Sequence, residues 1–137
     1  MAPSAIDAID WEEGIMTNKE LVLEFYDKVF NAHDLSDLGR YMREDYRQHS
    51  PEVADGREGF RAFAEGFFRL DPHMTIMAAA EDGDRVFVFF RCDFRANGGA
   101  AKVCDIYRVE DGMLAEHWDV IQPISADDPF NNGNGHF

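Results

Sequence analysis

The sequence predicts an α+β domain, with helices first and an antiparallel sheet after them. Three observations carry that expectation. A capping box at Thr17 opens a stretch of helical period, and the apolar period shortens to two residues after Asp71-Pro72. Turn signals at Asp82-Gly83-Asp84, Asn97-Gly98-Gly99 and Glu110-Asp111-Gly112 then divide the remainder into strands. With 137 residues, 45% of them hydrophobic, the chain has material for one core and too little length for two.

Residues 1–16 show no period and are expected to form a loosely ordered arm. The first helix starts after Thr17, with Glu20 placed to return to the cap amide. Leu21, Phe25 and Val29, with Val22, Tyr26 and Phe30, make one wide apolar face through about Ala32. A second short helix is expected over Leu35 to Met42, with Leu35, Leu38 and Met42 inward. Tyr46-Arg47-Gln48-His49-Ser50-Pro51 ends it, because the residue before a proline is pushed towards extended geometry. After Asp55-Gly56 a third helix carries Phe60, Phe63, Ala64, Phe67 and Phe68 at three- and four-residue spacing, and Asp71-Pro72 stops it. Four strands in a meander follow, at roughly 73–81, 84–96, 100–109 and 113–122. The segment 124–137 is too polar and glycine-rich to form a further element, which leaves residues 17–123 as the domain.

Lys plus Arg number 13 against 27 Asp plus Glu, a net charge of −14. Such an acidic protein cannot neutralise nucleic-acid phosphates or anionic lipid, so no nucleic-acid or membrane partner is expected. No apolar run approaches the roughly 18 residues of a membrane span, and the first ten residues lack the basic and apolar regions of a secretory signal. A cytoplasmic location is therefore expected, with Cys92 and Cys104 as reduced thiols.

The turns set the register that places the polar residues. A three-residue loop at Asn97-Gly98-Gly99 puts Arg91 opposite Asp105, Phe89 opposite Tyr107 and Cys92 opposite Cys104. A three-residue hairpin at Glu110-Asp111-Gly112 puts Asp105 opposite His117 and Val103 opposite Asp119. Arg91, Asp105, His117 and Asp119 then converge on one face, beside Phe89, Tyr107 and Ile121. A two-residue loop at Asp111-Gly112 would instead send His117 and Asp119 to the other face. Both faces of this sheet are apolar, so helices cover one and a second subunit is expected on the other. Buried charges cost several kcal/mol each unless paired, so the cluster reads either as a satisfied network or as a pocket where an aspartate exchanges protons with a carbon acid.

Taken together, Asn18-Lys19-Glu20-Leu21-Val22, Tyr46-Arg47-Gln48-His49-Ser50-Pro51, Gly56-Arg57-Glu58-Gly59-Phe60, Asp105-Ile106-Tyr107-Arg108-Val109-Glu110-Asp111-Gly112 and Glu116-His117-Trp118-Asp119 resemble a SnoaL-like domain, over about residues 17 to 123. This family of small polyketide cyclases and their relatives belongs to the nuclear-transport-factor-two-like superfamily. The resemblance implies a cone-shaped barrel of N-terminal helices packed on a curved, mainly antiparallel sheet. It also implies a deep pocket for a small apolar molecule and a homodimer through the outer sheet face. It implies aldol-type cyclisation without metal or organic cofactor, an aspartate on the last strand being acid and base.

Asp119 matches that position, while Asp105 stands where the cyclase pattern has a histidine. Two carboxylates in one cavity repel unless Arg91 or a protonated His117 compensates. His49 is a candidate donor to an enolate oxygen. The catalytic candidates are thus Asp119, His49, Asp105 and His117, and the substrate-binding candidates are Arg91, Tyr107, Phe89, Tyr46, Gln48 and Phe63. His-x-Asp on a strand is a weak metal signal, and no metal is expected. Two other functions remain open: epoxide opening by a trio of Arg91, Asp93 and Asp119, and a non-catalytic ligand-binding module on the same fold.

Overall fold

A computed structural model describes residues 16–137; the arm expected over residues 1–16 lies, but for Met16, outside the described residues. Helix α1 spans Asn18–Phe25, and the Thr17 side chain accepts the Glu20 amide at 3.1 Å as its N-cap. The helix continues as a π-helical segment, Tyr26–Asn31, and the Asp34 amide reaches back five residues to the Val29 carbonyl. Wide turns of this kind interrupt the i, i+4 face and cluster at functional sites. Here the segment places Tyr26 and Phe30 over the sheet, both buried.

The expected second helix shrinks to a single turn, α2, Leu38–Tyr41, and the chain straightens at Met42 into a strand that the sequence reading missed: β1, Met42–Gln48. Its burial repeats at Met42 and Tyr46, a four-residue spacing that imitates a helix, because the register slips between Met42 and Arg47. Helix α3, Gly56–Phe67, extends into a 3-10 turn, Phe68–Leu70. Strands β2 (Pro72–Asp82), β3 (Arg85–Phe94), β4 (Gly99–Glu110) and β5 (Met113–Ile124) form the expected meander, and β1 joins parallel to β5, giving the order β1-β5-β4-β3-β2.

Both later hairpins differ from the expected registers. The β3–β4 loop holds four residues, since Phe94 pairs with Gly99, so Arg91 faces Lys102 and Asp105 faces Val88. That odd shift turns β3 over relative to β4. Val86, Val88, Phe90 and Cys92 point into the core, while Phe89 and Arg91 lie on the outer face beneath Phe137 of the C-terminal segment. Cys92 and Cys104 are therefore on opposite faces and do not meet.

The β4–β5 loop is the two-residue Asp111-Gly112, both residues at positive φ as a type I′ turn demands. Alone it would expel His117 and Asp119 from the inner face. A bulge that leaves Ala115 as an extra residue restores the parity, pairing Tyr107 with His117 and Asp105 with Asp119. The helices cover this inner face, and the main core lies between them.

Candidate functional site

Between the helices and the inner sheet face lies a cavity of about 100 Å³. Phe30, Phe60, Phe63, Phe67, Phe90 and Phe94 wall its apolar part. Tyr46, Gln48, Ser50, Asp105, Tyr107, His117 and Asp119 form its polar end, and the exposed residues Glu52 and Ile121 mark its open side.

His117 organises the polar end. Its Nε2 donates to Asp105 Oδ1 at 3.0 Å, and its Nδ1 donates to Gln48 Oε1 at 2.7 Å. The same amide oxygen accepts the His49 and Ser50 backbone N–H groups at 3.0 Å, which fixes the amide orientation and makes this oxygen an acceptor only. A ring flanked by two acceptors must carry two protons. Burial, the largest influence, pulls the His117 pKa down, yet the Asp105 carboxylate, reinforced by Asp119 and Glu52, more than offsets it and leaves the value raised. Geometry and charge thus both favour the doubly protonated, imidazolium form of His117.

Asp105 is saturated in turn. Its second oxygen accepts the Tyr26 hydroxyl in a short bond and the Tyr107 hydroxyl at 3.4 Å, and the two phenols lie 2.9 Å apart. Burial foremost, then the Asp105 charge, holds both tyrosines well above their ordinary pKa, so they remain donors. Asp119 is different: Ser50 Oγ donates to its Oδ2 at 2.7 Å, while Oδ1 has no hydrogen-bond partner among the described residues. Donor atoms of Asp105, His117 and Asp119 fall within 4.8 Å of one another, a spacing a cation could bridge. His117 would have to give up a proton and one of its two bonds to take part.

Among the predicted residues, Asp105, His117, Asp119, Tyr46, Gln48, Tyr107 and Phe63 all line the cavity. His49, Arg91 and Phe89 do not. Strand alternation turns His49 away from Gln48, so its ring stacks on Trp118 at 4.9 Å and its Nε2 donates to Glu116 Oε2 at 2.6 Å. That bond is the main reason the Glu116 carboxyl sits below its ordinary pKa. Arg91 pairs with Asp93 at 3.0 Å on the outer side of the sheet, which removes the trio required for epoxide opening. Tyr26 and Ser50 were missed. Ser50 was detectable in principle, since Tyr46, Gln48 and Ser50 share one face once residues 42–48 are read as a strand. Tyr26 had no such signal, being one more aromatic on a helix.

The SnoaL-like domain family model matches residues 22–117. No curated protein matches the sequence. Among solved structures, TsrD from Streptomyces laurentii is 23% identical with a TM-score of 0.66, over 80% of this chain and 91% of that one. IdmH from Streptomyces antibioticus is 22% identical with a TM-score of 0.63, over 77% and 92%. A SnoaL-like polyketide cyclase from Agrobacterium tumefaciens is 18% identical with a TM-score of 0.66, over 79% and 93%. At these identities the solved structures establish a shared fold.

Proposed function

Because this chain belongs to the SnoaL-like domain family, we propose that it is a cofactor-independent acid/base enzyme for a small apolar carbonyl compound, with Asp119 as the base. One observation carries the reading: a carboxylate with a free oxygen stands at the polar end of a phenylalanine-walled cavity, beside a fixed imidazolium. Asp119 Oδ1 takes a proton from the carbon next to the carbonyl, and the C–H electron pair moves onto the carbonyl oxygen as an enolate. In cyclisation the enolate carbon then bonds to a second carbonyl carbon of the same molecule, and the resulting alkoxide takes the proton back from Asp119. In isomerisation the proton returns to another carbon. His117 contributes fixed positive charge near the developing anion, since both its N–H groups are engaged by Gln48 and Asp105.

Outside the cavity, the partly exposed Phe87, Ile106, Trp118 and Val120 on the outer sheet face support pairing with a second copy. Among the described residues no helix is long and apolar enough to cross a membrane. The two unpaired thiols suit a reducing, cytoplasmic setting.

The test is deuterium exchange from D2O into the α-carbons of a panel of cyclic and aryl ketones, followed by proton NMR. The protein should accelerate exchange for part of the panel by about 10²–10⁴-fold, the range of general acid/base help. Asp119→Asn should remove that acceleration with an unchanged circular dichroism spectrum. Exchange that survives the substitution takes Asp119 out of the mechanism, and ligand binding with no exchange anywhere in the panel identifies a binding module.

A further inference from the structure

The cavity's inventory of donors, acceptors and charges narrows what it can hold. At the polar end nearly every group is already committed within the protein: His117 to Gln48 and Asp105, Tyr26 and Tyr107 to Asp105, Ser50 to Asp119. Two atoms are left. One is Asp119 Oδ1. The other is the hydroxyl of Tyr46, which lines the cavity and has no hydrogen-bond partner among the described residues. That hydroxyl is not sealed in the interior, because the one fully buried, unpartnered side-chain polar atom among the described residues is Glu24 Oε2, elsewhere in the fold. The Tyr46 ring lies parallel to His117 at 6.4 Å, and the ligand atoms of His117 and Asp119 are within 4.8 Å, so both free atoms belong to the same end of the cavity. Burial, then the Asp105 and Asp119 charges, keeps Tyr46 well above the ordinary tyrosine pKa, so it is a proton donor.

Charge points the same way. Among the described residues, Asp105, Asp119 and Glu52 face the cavity against His117, and no Lys or Arg lines it. An entering carboxylate would find no cation with a free N–H and would meet uncompensated negative charge. Size sets the last limit: about 100 Å³ is below the roughly 150 Å³ of an apolar cavity that accepts benzene, so there is room for no more than one ring, and that ring already reaches toward the open side at Glu52 and Ile121.

We propose that the cavity selects a neutral, single-ring compound bearing one hydroxyl or enolisable carbonyl, whose oxygen accepts from Tyr46 and whose acidic hydrogen faces Asp119, and that it rejects carboxylates. This rests on the cavity being the functional site and makes Tyr46 the group that holds the enolate oxygen of the proposed reaction.

The experiment is equilibrium binding of 4-fluorophenol, 4-fluorotoluene and 4-fluorobenzoate at pH 7, read by fluorine NMR on the full chain. 4-Fluorophenol should bind about tenfold more tightly than 4-fluorotoluene, the worth of a hydrogen bond to a charged or strongly polar partner, and 4-fluorobenzoate should show no saturable binding. Tyr46→Phe should cut the phenol's advantage over toluene several-fold, leaving the part carried by its bond to Asp119, and leave toluene unchanged. Asp119→Asn should admit the benzoate, an effect that general loosening of the fold would not produce. The proposal is overturned by benzoate binding as tightly as phenol, by a phenol preference that Tyr46→Phe leaves undiminished, or by no saturable binding of any probe. Phenol selectivity without ketone exchange would leave this proposal standing and remove the enzymatic one; exchange with benzoate-type binding would do the reverse.

Discussion

Replacing Asp105 with Asn tests the polar network at its centre. Asp105 is 6% exposed and His117 7%, so solvent screens their pairing little. The amide keeps the shape of the carboxylate but has one acceptor oxygen, and its NH2 must confront either the His117 N–H or a tyrosine hydroxyl. Breaking a buried ion pair from one side costs about 3–5 kcal/mol. For 137 residues the unfolding entropy is about 0.29 kcal/mol/K, so the variant should melt roughly 10–17 °C lower. The loss should depend on pH with a definite sign. The folded His117 pKa is raised, so its contribution is complete below the unfolded value of about 6.5 and is lost as pH climbs through the folded value. In the variant, burial is less opposed and that rise shrinks. The stability gap between the two proteins should thus be widest near pH 5.5 and narrow towards pH 8.5. Urea unfolding followed by fluorescence at three pH values measures the gap, and nitrogen-15 spectra of the imidazole report its protons directly. A gap under 1 kcal/mol at pH 5.5, or one that widens as pH rises, would refute an imidazolium held by Asp105.

Two further expectations concern packing and thiol chemistry. A Cβ at Gly59 would stand 2.1 Å from the Ala54 carbonyl oxygen, so Gly59→Ala should force α3 away from the loop before it and cost at least the 1–3 kcal/mol typical of overpacking, measured by thermal melting. Burial, with help from Asp93 and Asp105, pushes the Cys92 thiol up to about 12, whereas Cys104 is half-buried on the outer face and raised less. At pH 8 a thiol reagent should therefore modify Cys104 first and reach Cys92 only on unfolding; equal rates would place Cys92 outside the core.

The fold was legible where a single force acts. The helical stripes of α1 and α3 and the alternation of β2 to β5 reflect one buried face each, and the observed boundaries fall within about two residues of those expected. Strand β1 was illegible because its slip against β5 puts its buried residues four apart, and because it is a parallel edge strand, with no hairpin to announce it. Its loss from the reading had a functional cost. Gln48 and Ser50, which hold His117 and Asp119, were seen as loop residues, and His49 was credited with a place that strand alternation denies it.

Which side chains meet in the cavity depends on parity, and parity accumulates from every turn and bulge. At β4–β5 the expected three-residue loop was wrong, yet Asp105, His117 and Asp119 converge as expected because the two-residue turn and the bulge at Ala115 each shift the strand by one and together cancel. At β3–β4 the four-residue loop brings an odd shift with nothing to cancel it, and Arg91 and Phe89 leave the site. Desolvation could have chosen between the two faces of β3 without any knowledge of the loop. Val86, Val88, Phe90, Cys92 and Phe94 offer an uninterrupted apolar row, whereas the alternate row buries Arg91 and Asp93, each at a cost of several kcal/mol. The helices already supply an apolar surface to be covered, so the uncharged row must face them. The charge that compensates Asp105 then has to come from β5, where His117 alone is placed to supply it.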